Sequence, residues 1–227
     1  MANYFRILLL YFAILTIIPL GSAFASCTSS DSAICKSGRL DTQRAIGNIK
    51  PDPCADEREP GTVCDDGSVY AGNSPDGNVP MFTTPADAGQ FSWNDGTANY
   101  VATKMQNCRS ASPGAQPTCR TGRANTDLLS ALGKSPSPAP YVAARYCDDL
   151  VAHGHSDWYL PAQDELNVLW SSRAAIGRFN LSGSNPTGYY WSSSDFSHSG
   201  ARGQSFRVGF QISSNKTNRL SVRCVRK

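Results

Sequence analysis

The stretch His155-Ser156-Asp157-Trp158-Tyr159-Leu160-Pro161-Ala162-Gln163-Asp164-Glu165-Leu166-Asn167 runs from a polar turn through large apolar residues to a helix start. Ser156 and Asp157 suit a turn with capping hydrogen bonds ahead of a buried Trp158. The periodicity predicts a helix from Pro161 through Leu169 or Trp170, with Leu166, Leu169 and Trp170 as its apolar stripe. Asp164 and Glu165 place acid in its first turn, against the positive end of the helix dipole. Upstream, Ala143, Ala144, Cys147, Leu150 and Val151 repeat at helical spacing after Pro140, a favourable first-turn residue. Downstream of Gly183 the pattern turns strand-like in Tyr189-Tyr190-Trp191, in Phe206-Arg207-Val208-Gly209-Phe210 and in Leu220-Ser221-Val222-Arg223-Cys224-Val225. The last alternates, with Leu220, Val222 and Cys224 on one face.

Ahead of this region the chain is turn-rich. Gly61-Thr62-Val63-Cys64 and Gly67-Ser68-Val69-Tyr70 flank Asp65-Asp66-Gly67, as in a small hairpin. Residues 107–140 end in Ser135-Pro136-Ser137-Pro138-Ala139-Pro140 and read as an irregular loop or insertion. Residues 26–60 form a polar extension. At the start, Arg6 precedes an apolar run from Ile7 to Leu20, followed by Ala23-Phe24-Ala25. This reads as a signal peptide over residues 1–25, cleaved before Ser26. The run falls short of the roughly 20 residues that span a bilayer. A lipid anchor at Cys27 is the alternative, and the mature chain, itself not membrane-spanning, is expected in the periplasm, at the cell surface or secreted.

The whole chain has 227 residues, a formal charge of +3 and 17% charged residues, too mild a balance for binding nucleic acid by phosphate neutralisation. Hydrophobic residues at 40% exclude a disordered chain. Eight cysteines fit an oxidising compartment. Spacing leaves many pairings open; the simplest joins Cys27 to Cys35, Cys54 to Cys64, Cys108 to Cys119 and Cys147 to Cys224. No two cysteines are close enough for a zinc clip.

His155-Ser156-Asp157-Trp158-Tyr159-Leu160-Pro161, Asp164-Glu165-Leu166-Asn167, Tyr190-Trp191-Ser192-Ser193-Ser194 and Val222-Arg223-Cys224-Val225-Arg226 occur in that order. Together with Ala143-Ala144-Arg145-Tyr146-Cys147, and with Thr84-Pro85-Ala86-Asp87-Ala88 and Ser92-Trp93-Asn94-Asp95 upstream, they resemble the bacterial Lcl C-terminal domain family over residues 61–227, with an insertion near 97–140. The resemblance implies an α+β, C-type-lectin-like domain with two helices and a twisted antiparallel sheet. It also implies a role in surface binding or adhesion, and a disulfide from the first helix to the last strand, which Cys147–Cys224 would supply. Two positions depart from the pattern. Tyr159 stands where the family often has Arg. Ala162 stands where Thr or Ser is usual, which removes a capping box with Glu165 and costs about 1 kcal/mol.

Trp93-Asn94-Asp95 copies a calcium-lectin triplet, but its partner triplet is missing and calcium needs several convergent oxygens, so packing and turn formation are expected. His153-Gly154-His155-Ser156-Asp157 holds the ingredients of a triad, which geometry rather than adjacency defines. No enzyme, metal or cofactor is expected. The segment Ser192–Asn218 mixes Ser, Asn, Gly and Arg with aromatics, a composition that suits recognition of a glycan, anionic or neutral, or of a protein. Its expected contact residues are Asp195, Ser197, His198, Arg202, Gln204, Arg207, Lys216 and Asn218. The expected function is an exported binding or adhesion module. Alternatives are a component of a pilus, phage-like fibre or surface layer, or a receptor-like variable protein diversified by a retroelement.

Overall fold

The computed structural model describes residues 52–55, 58–96, 105–109, 116–132, 140–183 and 186–227. The expected signal and the Cys27–Cys35 bridge lie outside them. The chain folds back at Asp65-Asp66-Gly67, as its turn residues predict. Gly67 takes φ +83°, its N–H donates to the Cys64 carbonyl at 2.9 Å, and Val63 pairs with Val69. Strand β1 (Val69–Ser74) then pairs antiparallel with β2 (Val79–Thr83), and β3 (Gly89–Ser92) follows.

The stretch expected to be irregular, 107–140, contains a 3-10 turn at Pro117–Cys119 and a regular helix, α1 (Gly122–Leu132). Asn125, Leu129 and Leu132 recur at helical spacing, and Leu129 is fully buried. Gly122 opens this helix because nothing larger fits: a β-carbon there would lie 2.1 Å from Glu165 Oε2 and 2.7 Å from the Ala162 nitrogen. Helix α2 (Val142–Asp148) follows the periodicity of Ala143, Ala144 and Cys147 but ends before Leu150 and the exposed Val151; α3 (Gln163–Ser171) stands within its expected span, and a single turn, α4 (Arg173–Ile176), follows. The cap of α3 is not wholly lost. Ala162 offers no side-chain oxygen, but Glu165 Oε2 still accepts the Ala162 N–H at 2.9 Å. Glu165 Oε1 accepts from Ser74 Oγ at 2.7 Å and Tyr159 OH at 2.9 Å. Burial pushes this carboxyl above the usual carboxylate range; the three hydrogen bonds and the Lys227 charge pull against it.

Strands β4 (Tyr189–Asp195), β5 (Gly200–Ser205), β6 (Gln211–Asn215), β7 (Arg219–Val222) and β8 (Val225–Arg226) complete two sheets. The small sheet has the order β1-β2-β8, the large one β3-β7-β4-β5-β6. All pairs are antiparallel except β4 with β7. Two expected strands are corrected. Leu220–Val225 is broken after Val222, so that its two ends lie in different sheets. Phe206–Phe210 is the turn from β5 to β6, where Gly209 takes φ +83° and donates to the Ser205 carbonyl at 2.8 Å. β5 carries no apolar alternation. It is a strand because β4 and β6 pair with it on either side, and it is buried throughout. Gly203 is required there, since a β-carbon would come 2.8 Å from the Tyr190 carbonyl oxygen.

Alternate residues of an extended chain face opposite ways. Trp158 and Leu160 therefore enter one core, with Trp93, Leu129, Ala143, Trp191, Leu220 and Val222. Tyr159 enters the other, with Val69, Met81, Leu166, Leu169, Tyr190 and Phe206. Full burial of a large apolar side chain contributes about 1.5–3 kcal/mol, so each of these short runs anchors both cores. At the end of the chain Leu220, Val222 and Cys224 join the first core and Val225 the second. Cys54–Cys64, Cys108–Cys119 and Cys147–Cys224 are bonded, and the last ties α2 to the segment between β7 and β8.

Candidate functional site

The expected contact residues do not converge. Asp195, Arg202, Gln204 and Lys216 are buried, which corrects their assignment to a ligand surface. Each is held by a partner inside the fold. Lys216 Nζ pairs with Asp195 Oδ1 at 2.8 Å and lies 4.7 Å from the centre of the Trp93 ring. Arg202 donates to the carbonyls of Cys108 (2.7 Å) and Arg109 (2.8 Å), and burial alone lowers its pKa. Gln204 Nε2 donates to Asn167 Oδ1 at 2.8 Å and to the Gly209 carbonyl at 3.0 Å. A buried charge without a partner is far costlier than an exposed one, so these groups are structural joints. The remainder divide between opposite ends of the large sheet. Ser197, His198 and Asn218 lie on the loops joining β4 to β5 and β6 to β7, with His198 and Asn218 exposed. Arg207 is exposed on the β5–β6 turn at the other end.

That turn is built rigidly and presents apolar groups outward. Phe206 is its anchor, fully buried with its ring 4.1 Å from Tyr190 and 4.8 Å from Phe179. Gly209 lies flat on Trp170, where a β-carbon would meet Cζ2 at 2.3 Å. The Trp170 ring also carries the Arg173 guanidinium, 4.4 Å from its centre. The Arg207 side chain crosses Gly183. Between these anchors Val208 and Phe210 stand 51% and 72% exposed. The sequence reading missed the pair by taking 206–210 for a strand. Gly209 was the available signal, since glycine inside a strand pattern marks a bulge or turn.

A second surface feature is an open groove of about 390 Å³ lined by Phe91, Val142, Arg145, Tyr146, Asp149, Leu150 and Val151. Its two charged residues bind each other, Arg145 Nε to Asp149 Oδ2 at 2.6 Å.

The other constellations find partners inside the fold. Trp93 is buried and donates to the Ser192 carbonyl at 2.8 Å, and buried Asn94 accepts the Gly96 N–H at 2.7 Å. His153 Nδ1 lies 2.9 Å from the Asp66 carbonyl, and His155 Nε2 lies 2.9 Å from Asp66 Oδ2, which Arg226 also reaches at 2.9 Å. Cys224 is bonded to Cys147, so it presents no reactive thiol. Among the described residues Asp52, Cys54 and Cys64 lie close enough to share a metal, but both sulfurs are tied up in a disulfide.

The geometry defines a disulfide-bonded α+β domain with an apolar and cationic turn at one end of its larger sheet. Residues 91–226 match the Lcl C-terminal domain family, and the chain belongs to that family. Strands β1 and β2 precede the matched span, although β2 pairs with the final strand β8. No curated protein matches the chain. Among solved structures it is similar to a fimbrial protein from Bacteroides ovatus, at 18% identity and a TM-score of 0.41. The likeness covers 66% of this chain and 36% of the fimbrial protein, so the chain spans about a third of that protein's length.

Proposed function

We propose that this protein is an exported, non-enzymatic binding or adhesion module that engages a glycan or a protein through its C-terminal loops, with the β5–β6 turn as the contact. One observation carries the reading. Phe210 and Val208 are exposed beside the cationic Arg207 on a turn whose backbone is pinned by Phe206 and Gly209. Rigid, exposed aromatic and apolar groups favour binding because little conformational entropy is lost on contact. Export is supported by the three disulfides, which persist in oxidising compartments. The non-enzymatic reading is supported by the bonded Cys224, which presents no thiol nucleophile. A C-type-lectin-like fold is part of the proposal; its support is the pairing of β2 with β8 and the Cys147–Cys224 bridge.

A glycan array and a pull-down from surface extracts test the reading. Binding by the wild-type chain that is lost in Phe210→Ser upholds it. Two blanks with correctly folded protein overturn it. The second reading, a component of a pilus, phage-like fibre or surface layer, is supported by the outer edge of β6, which pairs with no strand among the described residues. N-terminal sequencing of the mature protein separates the two: a start at Ser26 fits the secreted module, and retention of the apolar run at 7–20 fits assembly.

A further inference from the structure

β6 ends the large sheet, and its pairing with β5 is in unbroken register from Gln211 opposite Gln204 to Asn215 opposite Gly200. Ladder hydrogen bonds flank it at both ends, from Ser205 N–H to the Phe210 carbonyl and from Lys216 N–H to the Ser199 carbonyl, each at 2.9 Å. Backbone groups in an antiparallel ladder alternate in direction along the strand. Ile212 and Ser214 therefore bond β5, while Gln211, Ser213 and Asn215 point their N–H and C=O groups away from the sheet. The Asn215 carbonyl accepts the Asn218 N–H at 2.9 Å. The outward groups of Gln211 and Ser213 bond no described residue, and Ser213 is exposed. Edges of this kind are usually blocked by lysine, proline or a bulge. Residues 211–215, Gln-Ile-Ser-Ser-Asn, contain none of these.

We propose that two copies of this chain pair through β6, antiparallel about a two-fold axis at Ser213, joining their large sheets into one. The strand is its own complement. With Ser213 facing Ser213, Gln211 faces Asn215 and Ile212 faces Ser214, so no charge meets its like. The outward N–H and C=O of Ser213 make a hydrogen-bonded pair on the axis, which a two-fold symmetric contact satisfies on both sides at once. A foreign strand would have to be selected by charge or side-chain bulk, and β6 offers no charge by which to select it. Five residues a side form a small contact, so the dimer is weak and concentration-dependent.

Sedimentation equilibrium of the purified full chain over a concentration series tests this. The average mass is expected to rise toward twice the chain mass. Ser213→Pro, which removes the outward N–H, and Ser213→Lys, which sets two like charges on the axis, are expected to stay at one chain mass. Ser213→Ala is expected to dimerise as the wild type does, because the pairing uses backbone. Thermal melts matching the wild type confirm that the variants fold, and Ser213→Lys keeps the test alive where proline disturbs the strand. A wild-type chain that stays single at every concentration overturns the proposal. So does a dimer that survives both Ser213→Pro and Ser213→Lys, or a monomer that takes up another protein's strand at this edge. Ser213→Lys is expected to keep ligand binding at the β5–β6 turn while it abolishes the dimer, so this proposal and the ligand reading fail separately.

Discussion

In the closing segment Arg219–Arg226, Arg223 is fully buried and holds three acceptors at 2.8 Å: Asp87 Oδ1 and the carbonyls of Thr84 and Arg178. Its guanidinium also lies 4.0 Å from the centre of the Phe179 ring. In the turn Phe206–Phe210, a few residues earlier, an aromatic side chain is 72% exposed. Charge is inside and apolar surface outside, the reverse of the simple expectation. The difference lies in what each segment joins. The closing segment leaves the large sheet at Val222 and enters the small one at Val225, so its polar groups must lock two sheets and α2 together. The turn joins only two neighbouring strands and is held by Phe206 and Gly209, which leaves Val208 and Phe210 available for contact.

The comparison breaks first if the closing segment proves dispensable. Replacing Cys147 and Cys224 together by Ala is expected to cost the most, about 4–5 kcal/mol as an upper figure from chain entropy, for a bridge across 77 residues. Urea denaturation measures it, and a loss below about 1 kcal/mol would show that the two sheets hold without the bridge. Arg223→Ala is next. It takes the donor from Asp87 Oδ1 and from the Thr84 and Arg178 carbonyls, while Asp87 keeps the Tyr190 hydroxyl on Oδ2, and roughly 3–5 kcal/mol is expected on the same assay.

Acid gives a smaller, pH-dependent test through Arg226. Burial alone would raise the Asp66 carboxyl, but hydrogen bonds from Ser68 and His155 and the Arg226 charge lower it from 3.8 to about 2. A carboxylate whose pKa falls on folding stabilises the protein fully above its unfolded value, and that contribution is lost as pH drops from about 3.8 toward 2. Solvent around the partly exposed group limits it to about 1 kcal/mol. Asp66→Asn is expected to flatten the stability of the protein across that window relative to wild type, and an unchanged acid limb refutes the linkage. The smallest effect on stability belongs to the turn. Phe210→Ser is expected to leave the unfolding free energy within about 0.5 kcal/mol, and a larger loss would place Phe210 in the fold rather than on a contact surface.

Much of the fold was legible because its signals are local. The repeats of Ala143, Ala144 and Cys147 and of Leu166 and Leu169 place α2 and α3, and Asp65-Asp66-Gly67 places the first turn. The site was far less legible. Asp195, Arg202, Gln204 and Lys216 carry the composition of a binding loop, but nothing in their own segment shows that Cys108, Arg109, Asn167 and Trp93 would be there to bury them. Helix α1 went unread for a related reason: Leu129 sits in a Ser-, Pro- and Gly-rich context that reads as loop until its core neighbours are known.

Local chemistry, carried in the order of residues, is enough to mark the family and the helices after Pro140 and Pro161, whereas the three bridges of the simplest cysteine pairing that fall on described residues are fixed by the tertiary structure. Whether a given arginine or phenylalanine faces water is not local. It depends on partners brought together by β4, β5, β7 and α2 from as far as Asp87 to Arg223. Burial, unlike helical periodicity, is a property of the assembled cores, and it assigned Arg202 to the interior and Phe210 to the surface.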